Sequence, residues 1–225
     1  MRYLLITMIH LALIGTAFGQ TTESEQTAVS PDEALAELLE GNAHFVNGKT
    51  SDPEIRTRRE NSAQGQYPKA VVLSCLDSRV PVELVFDQGI GDIFVGRVAG
   101  NVADKNQLGS MEFATKLAGA KLVLVLGHTS CGAVRGACDG AQMGNLTALL
   151  AKIKPAVDSV EGFDLEQRNS ANAEFVARVT EENVRKAVSN IREHSEVLAA
   201  LETSGQIKIV GAMYDLQTGK VALLE

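Results

Sequence analysis

Apolar residues along this chain gather in three short, unbroken runs: residues 69–75 (KAVVLSC), 92–100 (DIFVGRVAG) and 121–128 (KLVLVLGH). Runs this short and this rich in β-branched residues predict strands, and their lack of alternation predicts burial on both faces. Helical spacing takes over between and after them, in residues 106–119, 132–138 and 144–153 and in the long stretch 171–205. In that last stretch Val184, Val188, Ile191, Leu198 and Leu201 mark a buried face and Gly205 ends the pattern. Residues 207–225 read as two closing strands around a turn at Thr218 and Gly219. Buried strands alternating with helices predict an α/β fold: a single domain with a central, mostly parallel β-sheet flanked by helices on both faces.

The N-terminal part follows different rules. Ser30, Pro31 and Glu33 form a helix-start signature, with Ser30 as N-cap, proline at the first helical position and glutamate completing a capping box. Leu35, Leu38 and Leu39 give that helix, an N-terminal arm, one apolar stripe, and Asn47 and Gly48 end it. The polar segment from there through Gln66 reads as a surface connection, and residues 20–29 as a polar linker. Residues 1–19 hold Arg2, an apolar run through Phe18, and small residues at Ala17 and Gly19, the pattern of a secretory signal peptide cleaved after Gly19. The run is short for a spanning helix and a polar stretch follows it, so no stable membrane span is expected after cleavage. The expected location is exported, periplasmic or secreted.

Charge narrows the partners. Lysine and arginine number 21 against 28 acidic residues, a net charge of −7, and loss of Arg2 on cleavage makes it −8. No basic run is present, which argues against nucleic acid, whose phosphates need a concentrated basic surface. The glycines around Gly89 and Gly91 precede a strand instead of following one, so they read as a turn and not as a dinucleotide fingerprint.

The three cysteines, Cys75, Cys131 and Cys138, fit no disulfide framework: their number is odd and they are widely spaced, although the chain is read as exported. A metal held by two of them explains this, because a bound thiolate is deprotonated and shielded from oxidation. Cys75 closes the first apolar run; His128 closes the third, with Cys131 three residues on. Parallel strands present their carboxyl ends at one edge, so these three ligands can converge there. Two thiolates and one imidazole leave a fourth tetrahedral position of zinc open, the mark of a catalytic site. Cys138 reads as a small helix residue, and His44 and His194 as surface or packing residues.

The segments CLDSRV and GHTSCGAV, with FVGRVAGN, GSMEFA and GAMYDLQTG around them, resemble the β-class carbonic anhydrases over residues 30–225. The resemblance implies a zinc enzyme interconverting CO2 and bicarbonate, with Zn2+ on Cys75, His128 and Cys131 and with Asp77 and Arg79 as a catalytic dyad. It implies a substrate pocket formed by Gln66, Phe94, Ala99, Phe113 and Gly132, where Gly132 lets backbone approach and opens a helix. Phe113 stands where many members carry tyrosine, so the pocket lacks that hydroxyl. Val72 stands where the bicarbonate-inhibited subgroup carries tryptophan, although Arg97 is kept, which implies that the inhibitory site does not form. The resemblance also implies a homodimer or homotetramer whose pockets are lined from two subunits. Hydrolysis of CS2 or COS on the same scaffold is the alternative activity, and a non-catalytic zinc or bicarbonate binder is the alternative class; such a binder need not keep both Asp77 and Arg79.

Overall fold

A computed structural model describes residues 21–51 and 55–224. The expected signal peptide lies outside the described residues. A five-stranded sheet organises the rest, in the order β2-β1-β3-β4-β5. The strands are β1 (Ala70–Ser74), β2 (Ile93–Arg97), β3 (Leu122–His128), β4 (Lys208–Tyr214) and β5 (Val221–Leu224). The first four are parallel, and β5 returns antiparallel on β4 through the turn expected at Thr218 and Gly219. β1 and β3 are buried at every position, as their unbroken apolar runs require.

Alternation along these strands divides the core in two. Val71, Leu73, Val123 and Val125 face one way, and Ala70, Val72, Leu122 and Leu124 the other. The helices follow in chain order. α1 (Glu23–Ala28) and α2 (Pro31–Val46) form the N-terminal arm; α3 (Ile55–Ser62) and the single turn α4 (Val82–Val85) come next. α2 and α4 cover the second face, with Leu35, Leu38, Val82, Val85 and Phe86 packed on it. They approach closely: a Cβ on Gly41 of α2 would sit 1.9 Å from the Phe86 carbonyl oxygen. α5 (Lys105–Glu112) ends in a π-helical turn over Phe113–Leu117. α6 (Gly132–Cys138), α7 (Gly144–Ala151) and α8 (Lys154–Ser159) form a cap that packs with Cys75, Cys131 and the start of α9 (Ala173–His194). The rest of α9, with α10 (Glu196–Thr203), covers the first face of the sheet. No helix among the described residues is long and apolar enough to cross a membrane.

One expectation is corrected and two are refined. The expected linker holds a helix, because residues 23–28 form α1, started by a Thr22 capping box. Its polar residues are used in tertiary bonding: buried Gln26 donates from Nε2 to the carbonyls of Pro68 (2.7 Å) and Ala118 (2.8 Å), just before β1 and β3. The surface connection through Gln66 contains α3, which buries no residue and so leaves no apolar stripe in the sequence. The long helical stretch is two helices. It breaks at Ser195, extended at φ −130°, whose hydroxyl accepts from the Leu198 N–H to cap α10 and donates to Glu112 Oε1 at 2.6 Å.

Candidate metal centre

β1 and β3 are neighbours in parallel register, with Ser74 beside Leu126, so their carboxyl ends open on the same edge. Cys75 follows β1 directly, and His128 is the last residue of β3. Ser130, at φ 56°, then turns the chain back and places Cys131 as the N-cap of α6. The result is a cluster of one nitrogen and two sulfurs, all within 4.8 Å of one another and all buried. The sulfurs lie 4.0 Å apart.

The imidazole is oriented for ligation. His128 Nδ1 lies 2.9 Å from the Thr129 carbonyl, an acceptor only, so Nδ1 carries the proton and Nε2 keeps its lone pair. Nε2 is fully buried and has no hydrogen-bond partner among the described residues. An unpartnered nitrogen facing two sulfurs is costly unless a cation satisfies it, and zinc accepts this donor set. The two sulfurs share a hydrogen bond, and that bond, helped by the Gly100 N–H, draws the Cys75 pKa down against burial. The Cys75 sulfur and burial push Cys131 up. A dication between them removes the need for that shared proton.

Asp77 borders the same space. Arg79 grips its carboxylate with its own backbone N–H (2.9 Å) and Nε (2.9 Å) on Oδ1 and with Nη2 (2.8 Å) on Oδ2. The Arg79 side chain holds Asp77 well below the usual carboxylate range. Asp77 Oδ2 lies 3.9 Å from His128 Nε2, so the fork points this carboxylate at the ligand cluster. Arg97 braces the loop from below, donating from Nε to the Cys75 carbonyl (3.0 Å) and from Nη2 to the Asp77 carbonyl (2.5 Å). Two of its donor groups are therefore committed to the backbone that carries Cys75 and Asp77.

The expected pocket residues divide. Ala99 precedes Gly100, whose N–H donates to Cys75 Sγ at 3.4 Å, so it lies beside the cluster. Gly132 opens α6 next to Cys131, but a Cβ there would meet nothing within 4 Å, so no close approach demands glycine. Phe94 and Phe113 stack edge to face, with ring centres 6.2 Å apart, in a cleft shared with Val71, Gly96 and Gln107. Gln66 lines a different cleft, with Ser62, Gln64 and Ile90. Neither cleft is lined by Cys75, Asp77, Arg79, His128 or Cys131. Cys138 is buried in the cap, two helical turns from Cys131.

Sequence reasoning missed Gly100 and its partner Asn183, whose Nδ2 donates to the Gly100 carbonyl at 2.8 Å. In the mostly charged stretch of residues 181–186 of α9, Asn183 carries no motif that could have singled it out.

The chain is similar to known carbonic anhydrases. Residues 70–221 match the carbonic anhydrase family model. A carbonic anhydrase 2 from Mycobacterium tuberculosis is 36% identical over 195 residues, covering 86% of this chain and 93% of that one. A carbonic anhydrase from Mycolicibacterium smegmatis is 37% identical over 198 residues, with the same coverage of both chains. Among solved structures, a Coccomyxa β-carbonic anhydrase in complex with acetazolamide superposes with a TM-score of 0.67 at 25% identity, covering 84% of this chain and 86% of that one. One of two tetrameric β-carbonic anhydrases from Sordaria macrospora shares the fold, with a TM-score of 0.65 at 22% identity over 84% of this chain and 96% of its own. With a family match over most of its length and relatives above a third identical, this chain belongs to the carbonic anhydrase family, in its β class.

Proposed function

We infer that the protein is a zinc-dependent carbonic anhydrase, a lyase that reversibly hydrates CO2 to bicarbonate and a proton, and that Cys75, His128 and Cys131 hold its zinc. One observation carries the assignment of roles: an Arg79-clamped carboxylate, Asp77, points its Oδ2 to within 3.9 Å of the His128 nitrogen in a cluster that, among the described residues, has three protein donors. Zinc at such a site supplies Lewis acidity that makes water nucleophilic near neutral pH.

The residues of the chain do the rest. Asp77 stays ionised and accepts a hydrogen bond from the attacking water at Oδ2, which turns a lone pair toward CO2. Arg79 keeps that carboxylate charged and aimed, since its three donors fix both oxygens. Arg97 holds the backbone that carries Cys75 and Asp77. Ala99 gives the neighbouring wall an apolar surface suited to a nonpolar linear substrate.

Gln66, Phe94 and Phe113 enter this scheme from a second copy of the chain. Their separation from the metal cluster of their own chain supports a homodimer or homotetramer in which two chains complete each pocket. Export to the periplasm or beyond is proposed from the leader-like residues 1–19 alone. The function is tested by zinc content and CO2 hydration of the wild type and of Cys75→Ala. The reading predicts bound zinc and activity in the first and loss of both in the second; full activity in Cys75→Ala would refute it.

A further inference from the structure

The chain leaving β2 is held in an unusual shape. Gly100 and Asn101, adjacent and buried, are both left-handed, at φ 70° and 45°. A non-glycine residue in that region costs on the order of 1 kcal/mol, so its surroundings must enforce it. The turn directs the Gly100 N–H at the Cys75 sulfur, 3.4 Å away. Glycine is favoured there because φ 70° strains any other residue, and a Cβ would lie 2.5 Å from Ile153 Cδ1, which would have to shift. Asn183 fixes the turn from the other side: it is 4% exposed on α9, and its Nδ2 donates to the Gly100 carbonyl at 2.8 Å. Seven residues along the same helix, Asn190 Nδ2 donates to the Ala103 carbonyl, also at 2.8 Å. The two amides clamp one segment, but only the first holds a residue that is bonded to a ligand atom.

We propose that Asn183 is a positioning residue of the metal centre, fixing the Gly100 turn so that a backbone N–H withdraws charge from the Cys75 thiolate. Two thiolates pass more charge to zinc than imidazoles do and weaken it as a Lewis acid. A hydrogen bond to one sulfur moderates that donation, as partners beyond the ligands do at other metal sites. The Asn183 bond is buried, so water does not replace it, and it joins the long helix α9 to the site across 83 residues of chain.

The proposal rests on the zinc reading but can fail separately from it. The test uses the full chain loaded with cobalt(II), comparing wild type, Asn183→Leu and Asn190→Leu. Both substitutions remove one helix-to-loop amide bond at nearly constant volume. In Asn183→Leu the sulfur-to-cobalt charge-transfer band moves to longer wavelength, because a thiolate without its donor gives up charge more readily. CO2 hydration by the zinc form falls about tenfold. Asn190→Leu leaves both readings at the wild-type value. An unmoved band in Asn183→Leu, or an equal shift in Asn190→Leu, overturns the proposal while the zinc reading stands. A wild-type chain lacking any sulfur-to-cobalt band overturns both. Should Asn183→Leu fail to fold, Asn183→Ala is read by the same band.

Discussion

Asp77→Asn isolates the dyad from the metal. The substitution preserves shape and volume but replaces one acceptor oxygen with a donor NH2. Arg79 already presents donors to both Asp77 oxygens at 2.8–2.9 Å, so one of them then faces another donor at contact distance and the fork opens. What is lost is an oriented, charged acceptor beside the reacting water, a contribution of about 10²- to 10⁴-fold in rate. That corresponds to about 3–5 kcal/mol at 1.36 kcal/mol per tenfold. Fold stability changes little, because the Arg79 side chain is 55% exposed and solvent screens the pair. Zinc binding is retained, since the three ligands are untouched. The assay is stopped-flow CO2 hydration with zinc stoichiometry measured on the same sample. The wild-type profile gives a companion check. A carboxylate whose folded pKa is lowered stays ionised as pH falls until that lowered value is reached, so protonation of Asp77 produces no acid limb above about pH 4. Zinc-replete Asp77→Asn with activity within threefold of wild type would refute the role given to the dyad.

Three further outcomes follow from the same structure. Gln26→Ala removes the donor from two carbonyls at the amino edge of the sheet, so urea unfolding should show a loss of about 2 kcal/mol, with kcat per folded molecule unchanged. Asp77→Asn and Gln66→Ala chains, each impaired alone, should regain activity when unfolded and refolded together, since a mixed assembly pairs an intact metal site with an intact Gln66; no recovery despite proven mixing contradicts shared pockets. With two sulfur donors the metal is a weaker acid than with three imidazoles, where water ionises near pH 7, so hydration should rise from neutral to mildly alkaline pH; a flat or falling profile counts against that donor set.

The metal site was readable in the sequence because its ligands close buried strands, and an unbroken apolar run fixes a strand end to within a residue or so. Cys75 and His128 end such runs, and parallel pairing does the rest. α1 reads as linker although Thr22 and Glu25 carry the same capping pattern as Ser30 and Glu33, because no apolar stripe follows it. Its residues are those of a solvated linker, and what orders Gln26 is a pair of carbonyls 42 and 92 residues away. The break at Ser195 was hidden for the same reason, since helical periodicity continues through it while the hydroxyl turns to a glutamate 83 residues distant. Gln66, Phe94 and Phe113 came from family resemblance alone; no pattern in one chain brings them to the zinc ligands, and the fold of one chain does not either.

Zinc K-edge X-ray absorption on the purified protein at mildly alkaline pH bears most directly on all of this. The account predicts one zinc per chain with two sulfurs at about 2.3 Å, one imidazole nitrogen at about 2.0–2.1 Å and one light oxygen donor from solvent. A first shell with a different sulfur count, or the same spectrum in Cys75→Ala, would contradict it.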